Sequence, residues 1–409
     1  MSNFNFSRVS EAAVDSFGRQ RISPIQTVFE SEQLYDKMPI FWDELLQDGG
    51  GTPTSVYQSG DAATKMTVNS IGDSVYRQTF MRFPYQAGKS TLILMTGVMG
   101  SVANTTRRIG QFDGSGSSGD NGFFFEDDGT NLKIVVEKDG TRAHEVNQSA
   151  WNIDGMGHGS NAKNPSGITL DITKTLIFVI DYEWLGVGRV RFGFGIAGGI
   201  HYVHECLNSN LRTTVYTSTP NLPIRYSIIS SGGSGSLDHI CASVSQEGGS
   251  DPVGPTRTVD RGINPLTNVD TANKYAVIGY RQVSGRPGAV LVPRAIDFLS
   301  RTNDSFHWEL HLNPVLNTQT GIVSTQLTKS SIEKRVPPTN STVQVSTDGV
   351  VLASGYVAQQ VRTLRSDDLR TAIWPGLSLA DVRDEIWLTV QPLSDNLIVM
   401  GAIGIREIG

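Results

Sequence analysis

The stretch from Thr175 to Cys206, TLIFVIDYEWLGVGRVRFGFGIAGGIHYVHEC, constrains the fold of this chain most strongly. It contains three segments in which apolar residues occupy every second position, which is the pattern of strands with one buried face. Glycines separate the segments, and Gly198-Gly199 supplies the positive φ that a two-residue hairpin turn needs. The stretch therefore predicts an antiparallel meander of three strands with one apolar face.

The rest of the chain repeats this pattern of short apolar segments and turns. Among 409 residues, 43 are glycine, 18% are charged, and no long helical heptad pattern occurs. Turns at a spacing of about 8–12 residues are typical of sandwiches and jelly rolls. We predict an all-β fold with two β-sandwich or jelly-roll-like domains and an extended N-terminal arm. The predicted ranges are 1–55 for the arm, 56–246 for the first sandwich, 247–273 for a linker and 274–409 for the second sandwich.

The predicted arm shows little alternation, but its aromatic residues are interleaved with acidic ones. The aromatic residues that stand out are Phe29, Tyr35, Phe41 and Trp42. One interpretation is an arm that packs over its own domain. The other is an arm that docks on a neighbouring subunit, because aromatic side chains left exposed at a terminus would be costly. The sequence leaves both interpretations open.

Charge and hydropathy exclude several classes of function. The formal net charge is −6, so we expect no basic surface for nucleic acid. The chain contains no run of 18 apolar residues, so we expect no membrane span. The N-terminus lacks the pattern of a signal peptide. We interpret Cys206 and Cys241 as two small buried residues rather than a disulfide, in a protein made in a reducing cytoplasm.

Two glycine-rich stretches have part of the spacing of nucleotide-binding motifs. Gly88-Lys89-Ser90 resembles the end of a P-loop, but Phe83 stands where the first glycine is needed. Residues 114–119 have the G-x-G-x-x-G spacing but precede a predicted strand. A bound pyrophosphate needs the N-terminus of a helix, so we expect no nucleotide and no other cofactor.

Alternate polar residues on one predicted strand offer a candidate for metal binding. His307, Glu309 and His311 would share one face, and two imidazoles with a carboxylate suit a metal ion. The opposite face, with Trp308 and Leu310, is apolar. A polar stripe beside a buried face is the simpler interpretation, and we predict no metal site.

The central meander carries paired carboxylates. Asp181 and Glu183 share one face beside a strand that carries Arg189 and Arg191. Two carboxylates on a sheet face could hydrolyse a glycan, whereas ion pairs across the strands are the simpler interpretation. We therefore predict no catalytic residues. The face that a glycan would contact consists of Asp181, Glu183, Trp184 and Tyr202.

Several longer motifs suggest a family. They are SFGRQRIS and TVFESEQLYDKMPIFWDE near the N-terminus, GKSTLILMTG, RRIGQFD, the central meander, VYTSTPNLPIRYSI, and, in the second half, YAVIGYRQ, TNDSFHWELHLNP and IREIG. Together they resemble a family of virion structural proteins of tailed bacteriophages, of the marine and cyanophage type. The resemblance covers nearly the whole chain.

The resemblance implies a non-enzymatic virion protein of the tail, the baseplate or the fibre-attachment region, which mediates assembly. Capsid decoration is a close variant. A carbohydrate-binding or depolymerising module for contact with the host surface is the alternative of another class. The implied partners are other virion proteins, copies of the chain itself in a ring or trimer and, for the alternative, a host-surface glycan. The implied location is the virion, after synthesis in the host cytoplasm.

Overall fold

The computed structural model of the chain describes most of its residues. The described ranges are 14–16, 25–114, 120–157, 163–248, 254–286, 288–302, 304–340, 342–357, 364–365, 374–380 and 382–408. They form 28 β-strands and one turn of 3-10 helix at Gln148–Ala150. No helix among them is long and apolar enough to cross a membrane. The predicted all-β class is confirmed.

The chain divides into two compact units. The first comprises Met1–Thr79 and Phe83–Asp251, and the second comprises Phe80–Arg82 and Pro252–Gly409. The strands of the first unit are β1 (Ile25–Glu32), β2 (Trp42–Gln47), β3 (Thr54–Gln58), β4 (Ala63–Val68), β5 (Ser74–Thr79), β6 (Thr91–Val98), β7 (Thr105–Phe112), β8 (Gly122–Asp127), β9 (Leu132–Lys138), β10 (Thr141–Asn147), β11 (Leu176–Tyr182), β12 (Val190–Ile196), β13 (Gly199–Cys206), β14 (Ile224–Ser230) and β15 (Gly235–Glu247).

Two antiparallel sheets make up the first unit. One has the strand order β13-β12-β11-β6-β15-β4-β3, with β1 also paired to β15, and the other has the order β10-β9-β8-β7-β14-β5-β2. The inner faces of the two sheets meet in an aromatic core. Phe125 of β8 packs against three rings of the other sheet at centroid distances of 5.0–5.4 Å. Those rings belong to Phe178, Phe192 and Phe194.

The predicted meander is present as β11, β12 and β13, but its hairpin turn lies one residue earlier than predicted. Ile196 pairs with Gly199, so the two-residue turn is Ala197-Gly198 rather than Gly198-Gly199. Both turn residues have positive φ, +52° and +79°. This is the pattern of a type I′ turn, which matches the twist of the flanking strands.

Residues 25–58 belong to the first sandwich, which corrects the predicted arm boundary at residue 55. Strand β1 pairs with β15, β2 with β5, and β3 with β4. The pairing partner that orders β1 lies more than 200 residues away, so local alternation could not reveal it. Residues 1–13 and 17–24 of the predicted arm lie outside the described residues.

The second unit is also built from antiparallel sheets. Its strands are β16 (Thr256–Asp260), β17 (Leu266–Val269), β18 (Tyr275–Gln282), β19 (Val290–Ser300), β20 (Phe306–Leu312), β21 (Val315–Leu316), β22 (Val323–Gln326), β23 (Ile332–Val336), β24 (Val345–Thr347), β25 (Val350–Val357), β26 (Leu364–Arg365), β27 (Glu385–Pro392) and β28 (Leu397–Ile408). The sheet orders are β16-β28-β19-β26, with β17 beside β28, then β22-β23-β18-β27-β20-β25, and the pair β21-β24.

Most of the predicted linker 247–273 is ordered as part of the second unit. Strands β16 and β17 lie within it, and both pair with β28 near the C-terminus. The linker prediction is therefore wrong for these strands, while residues 249–253 lie outside the described part. Cys206 and Cys241 are both free, as predicted, and Cys206 is buried. The prediction of burial is wrong for Cys241, which is only partly buried.

Candidate functional site

A loop of the first unit presents large apolar side chains to solvent. We name residues 33–41, which connect β1 to β2, the docking loop. Tyr35 is 84% exposed, Leu34 51% and Ile40 44%. With Glu30 and Glu32 of β1, the loop lines a shallow pocket of about 220 Å³. An apolar surface beside carboxylates is typical of a binding surface rather than of a solvated turn.

Aromatic side chains at the base of the docking loop fix it to the sandwich. The rings of Phe41 and Phe29 meet edge to face at 5.9 Å, and those of Phe29 and Trp42 at 6.3 Å. The indole Nε1 of Trp42 donates to Ser31 Oγ at 2.8 Å. Phe29 and Trp42 are buried in their own unit, so docking of these two residues on a neighbour is contradicted. Tyr35 and the half-buried Phe41 keep that role as a prediction.

A buried arginine holds the docking loop from below. Arg77 of β5 donates through Nη2 to the backbone oxygen of Lys37 at 2.6 Å and to Gln33 Oε1 at 3.3 Å. It also forms an ion pair with Glu44. Above these contacts, the hydroxyl of Tyr57 donates to the backbone oxygen of Leu34 at 2.6 Å. The loop is therefore preorganised by hydrogen bonds along its length.

A neutral histidine completes the support of Arg77. The Nε of Arg77 donates to His239 Nδ1 at 3.2 Å, so the imidazole accepts and carries its proton on Nε2. Complete burial, followed by the nearby arginine charge, holds the pKa of His239 well below its usual range. Burial also lowers the pKa of Arg77 to about 9, against the opposing effects of Tyr226 and Asp36. The arginine is thus charged and the histidine neutral at neutral pH.

Replacement of this arginine tests the support. Arg77→Met is expected to lower the free energy of unfolding by about 3 kcal/mol, because His239 Nδ1, Gln33 Oε1 and the backbone oxygen of Lys37 lose their hydrogen-bond donor. Glu44 keeps Lys37 as an ion-pair partner. Amide hydrogen exchange over residues 33–44 should accelerate more than exchange in β11. Lys133→Met, which breaks ion pairs with the half-buried Asp128 and the exposed Glu145, is the control and should change stability by less than about 1 kcal/mol. Unchanged exchange in the loop would contradict the support.

The predicted glycan-contact face lies at the meander, and its central carboxylate is buried. Asp181 Oδ1 accepts hydrogen bonds from Ser90 Oγ at 2.7 Å and Ser16 Oγ at 3.0 Å. Its Oδ2 accepts one from Tyr202 Oη at 2.7 Å and forms an ion pair with Arg191 of the neighbouring strand. Asp181 and Tyr202 are both buried, so neither offers a contact to a glycan. The ion pair across the strands is confirmed.

A short N-terminal segment covers this face. Arg191 donates to the backbone oxygen of Val14 at 2.8 Å, and Arg189 donates to those of Asp15 at 3.1 Å and Ser16 at 2.8 Å. With the bond from Ser16 to Asp181, these contacts hold residues 14–16 on the meander. No sequence pattern predicts this cover, because the three residues that form it have no apolar alternation.

The other two predicted glycan-contact residues lie where β11 turns into β12. Glu183 is buried, and its Oε1 accepts the backbone N–H of Arg189 at 2.9 Å. Trp184 is half-buried, and its Nε1 donates to the backbone oxygen of Thr217 at 3.3 Å. Leu185 beside it is exposed. Of the four predicted contacts, Trp184 alone reaches the surface.

The partial P-loop motif has a structural role. Ser90 donates to Asp181, and Lys89 Nζ donates to the backbone oxygen of Gly248 at 3.2 Å. The strand β6 begins at Thr91, where a phosphate site would need a helix. Residues 115–119 of the second glycine-rich stretch lie outside the described residues.

A cluster of ionisable residues lies in the second unit, around the predicted polar stripe of β20. We name it the Lys274 cluster, after the ammonium that lies 2.7 Å from Glu309 Oε2 and 2.8 Å from both carboxylate oxygens of Asp348. His311 is buried beside it, with Nε2 3.2 Å from Glu309 Oε2. His307 is separate, and its ring lies 4.8 Å from that of Tyr356. The sequence brought Glu309 and His311 together but missed Lys274 and Asp348.

The similarities of this chain to known proteins lie among solved structures. No protein-family profile matches the chain, and no curated protein matches it. One similar structure is the β-glucanase of Bacillus licheniformis, at 10% identity and a TM-score of 0.32, over 54% of this chain and 98% of that one. A carbohydrate esterase from the Shiga toxin-encoding bacteriophage phi24B has 12% identity and a TM-score of 0.32, over 55% of this chain and 100% of that one. The exoplasmic/lumenal domain of VIP36, in a Ca²⁺/Man-bound form, has 10% identity and a TM-score of 0.34, over 56% of this chain and 94% of that one. At these scores, nothing about those proteins is carried over to this chain.

Proposed function

We propose that this chain is a non-enzymatic structural protein of a tailed-bacteriophage particle and that the docking loop joins it to a neighbouring subunit. The observation that carries the proposal is the solvent exposure of Leu34, Tyr35 and Ile40 on a loop that is otherwise fixed by buried contacts. The resemblance of the long sequence motifs to virion proteins supports the location in the particle.

The physics of binding favours such a loop as a contact surface. Aromatic side chains contribute a large share of the free energy of association at protein interfaces. Burial of apolar surface stabilises a complex by about 25 cal/mol per Å² before the costs of association are subtracted. Because Arg77 and Trp42 already hold the loop, little further conformational entropy is lost on binding.

The carboxylates of the meander support a non-enzymatic role. Asp181 is bound by two serine hydroxyls, a tyrosine hydroxyl and Arg191, and Glu183 accepts a backbone N–H. Each of these contacts stabilises the fold. Glycoside hydrolysis would need both carboxyl groups to reach a bound sugar.

The test combines location in the particle with an interface variant. Cryo-electron microscopy of purified particles should place the chain, with the docking loop inserted in a neighbour. The double variant Leu34→Ser/Tyr35→Ser should enter particles at least about tenfold less than the wild type, because each lost apolar contact weakens association. Ile263→Ser, at a side chain that is 88% exposed in the second unit, is the matched control.

The outcomes separate the variants of the proposal. Density in the tail, the baseplate or a fibre-attachment site supports the assembly role, and density on the capsid surface supports decoration. If the wild-type chain is absent from particles, the proposal is wrong. It is also wrong if the double variant is incorporated as well as the wild type.

The same loop favours glycan binding as a second candidate. Tyr35 offers a flat exposed ring, and Glu30 and Glu32 place carboxylates beside it in the pocket of about 220 Å³. Sugar rings stack on such aromatic faces while hydroxyls donate to acidic groups. A glycan array with the wild type and Tyr35→Ser tests it. Binding by the wild type that is lost in the variant would support glycan binding. Absence of wild-type binding to every glycan on the array would contradict it.

A further inference from the structure

We propose that Glu309, His311 and Asp348 of the second unit bind a divalent transition-metal ion, Zn²⁺ or Mn²⁺, in exchange for the Lys274 ammonium. The three residues offer one ligand atom each, and these atoms all lie within 4.8 Å of one another. Two come from β20 and one from the turn between β24 and β25. The inference does not depend on the proposed function.

Hydrogen bonding fixes the tautomer of His311 in the form that a metal needs. Its Nδ1 lies 2.6 Å from the backbone oxygen of Asp348. A carbonyl oxygen can only accept, so Nδ1 carries a proton and donates it. Metal-binding histidines commonly donate their other ring N–H to a backbone carbonyl in this way. The lone pair of the neutral imidazole is then on Nε2, which faces the cluster.

The surroundings of Nε2 favour a cation. It lies 3.2 Å from Glu309 Oε2, so a lone pair faces a carboxylate oxygen, and this contact is repulsive unless a proton or metal ion lies between them. Thr389 Oγ1 lies 3.1 Å from Nε2 but also 3.2 Å from the backbone oxygen of Glu309. Its single hydroxyl proton can serve one of these two acceptors at a time.

The spacing of the first two ligand atoms already suits a metal ion. Metal–ligand bonds of about 2.1 Å at angles between octahedral and tetrahedral separate neighbouring ligands by about 3.0–3.4 Å. The 3.2 Å between His311 Nε2 and Glu309 Oε2 lies within that range. The ligand atom of Asp348 lies within 4.8 Å of the other two, so this exposed side chain has to move towards them to complete the set.

Lys274 shows that the carboxylates already hold a cation. The ammonium contacts Glu309 and both oxygens of Asp348. A metal ion would use the same oxygens and add the imidazole nitrogen. Lysine can leave, because its flexible stem reaches solvent and its side chain is partly exposed. Asp348, 48% exposed, provides the route of entry.

The ligand types define the class of ion. One imidazole nitrogen with two carboxylates suits Zn²⁺ or Mn²⁺, whereas Ca²⁺ prefers six to eight oxygen ligands. The remaining coordination positions would be filled by water. The bound ion would join β20 to the turn that precedes β25, and so would stabilise this edge of the six-stranded sheet.

Isothermal titration calorimetry of the full, EDTA-treated and dialysed chain with ZnCl₂ or MnCl₂ tests the site. We expect one ion per chain and a higher melting temperature of the second unit. Asp348→Asn, at the surface, should weaken binding by about tenfold or more, and His311→Ala by about 10–100-fold. Lys274→Met should strengthen it about tenfold, because the competing ammonium is gone. His307→Ala is the matched control and should bind as the wild type does.

Three results would overturn the proposal. The first is the absence of binding in both the wild type and Lys274→Met. The second is binding by Lys274→Met alone, since the native ammonium would then exclude the ion. The third is wild-type affinity in Asp348→Asn together with His311→Ala, because the ion would then bind elsewhere on the surface.

Discussion

Replacing Asp181 with alanine is expected to lower the free energy of unfolding of the first unit by about 3–5 kcal/mol, because Arg191 is left charged and buried without its partner. The loss also leaves the hydroxyls of Ser90 and Tyr202 without their acceptor. Chemical denaturation, followed by a probe within the first unit, measures the change.

Two further variants separate this effect from a general loss of a carboxylate. Asp61→Ala, at an exposed turn, should change the free energy of unfolding by less than about 0.5 kcal/mol. The double variant Asp181→Leu/Arg191→Met should recover part of the loss, because no unpaired charge remains in the interior. Equal effects of Asp181→Ala and Asp61→Ala would show that the buried network is unimportant for stability.

Acidification from pH 6.5 towards pH 4 is expected to destabilise the first unit by up to about 2–3 kcal/mol through His204 alone. Burial, followed by the proximity of His144, lowers the pKa of His204 from 6.5 to about 4. The unfolded chain therefore binds this proton first as the pH falls. The stabilisation is complete above pH 6.5 and is lost as the pH falls to about 4.

Other groups shape the same pH profile. Burial lowers the pKa of His144 and of His239, so both add to the loss in the same direction. Burial raises the pKa of the Asp127 and Asp238 carboxyls. These two groups therefore favour the folded state at lower pH and offset part of the destabilisation that the histidines cause. Denaturation midpoints at several pH values measure the slope, and His204→Asn should make it shallower. Stability that stays constant from pH 6.5 to 5 would contradict the prediction.

The local alternation of apolar residues was sufficient to predict strands that pair with their neighbours in the sequence. The alternation from Thr175 to Cys206 predicted β11, β12 and β13 nearly to their observed bounds. It failed for β1, because the partner of Ile25–Glu32 is β15, far along the chain, and five of its eight residues are exposed. It failed for the linker because β16 and β17 are ordered by β28 at the other end of the unit.

The candidate sites show the same dependence on distant contacts. The alternation of the strand places Asp181 on the face opposite its apolar residues, which predicts an exposed side chain. Residues 14–16 cover that face, so Asp181 is buried. The aromatic composition near Tyr35 left open whether this segment docks on a neighbour or packs over its own domain. The division into a buried base and an exposed tip depends on contacts with Arg77, which the sequence does not reveal. His311 meets Asp348 across 37 residues of chain, which no spacing rule relates.

The pairing of β1 with β15 also has a consequence for synthesis on the ribosome. Phe29 opposes Val244, so 215 residues are translated between the two partners. At about 5–20 residues per second, this takes roughly 10–40 s. During that time the nascent β1 has no partner strand, and neighbouring nascent chains on one polysome carry the same unpaired edge. Chaperones that bind extended segments are therefore expected to act on Ile25–Glu32 before the first sandwich can close.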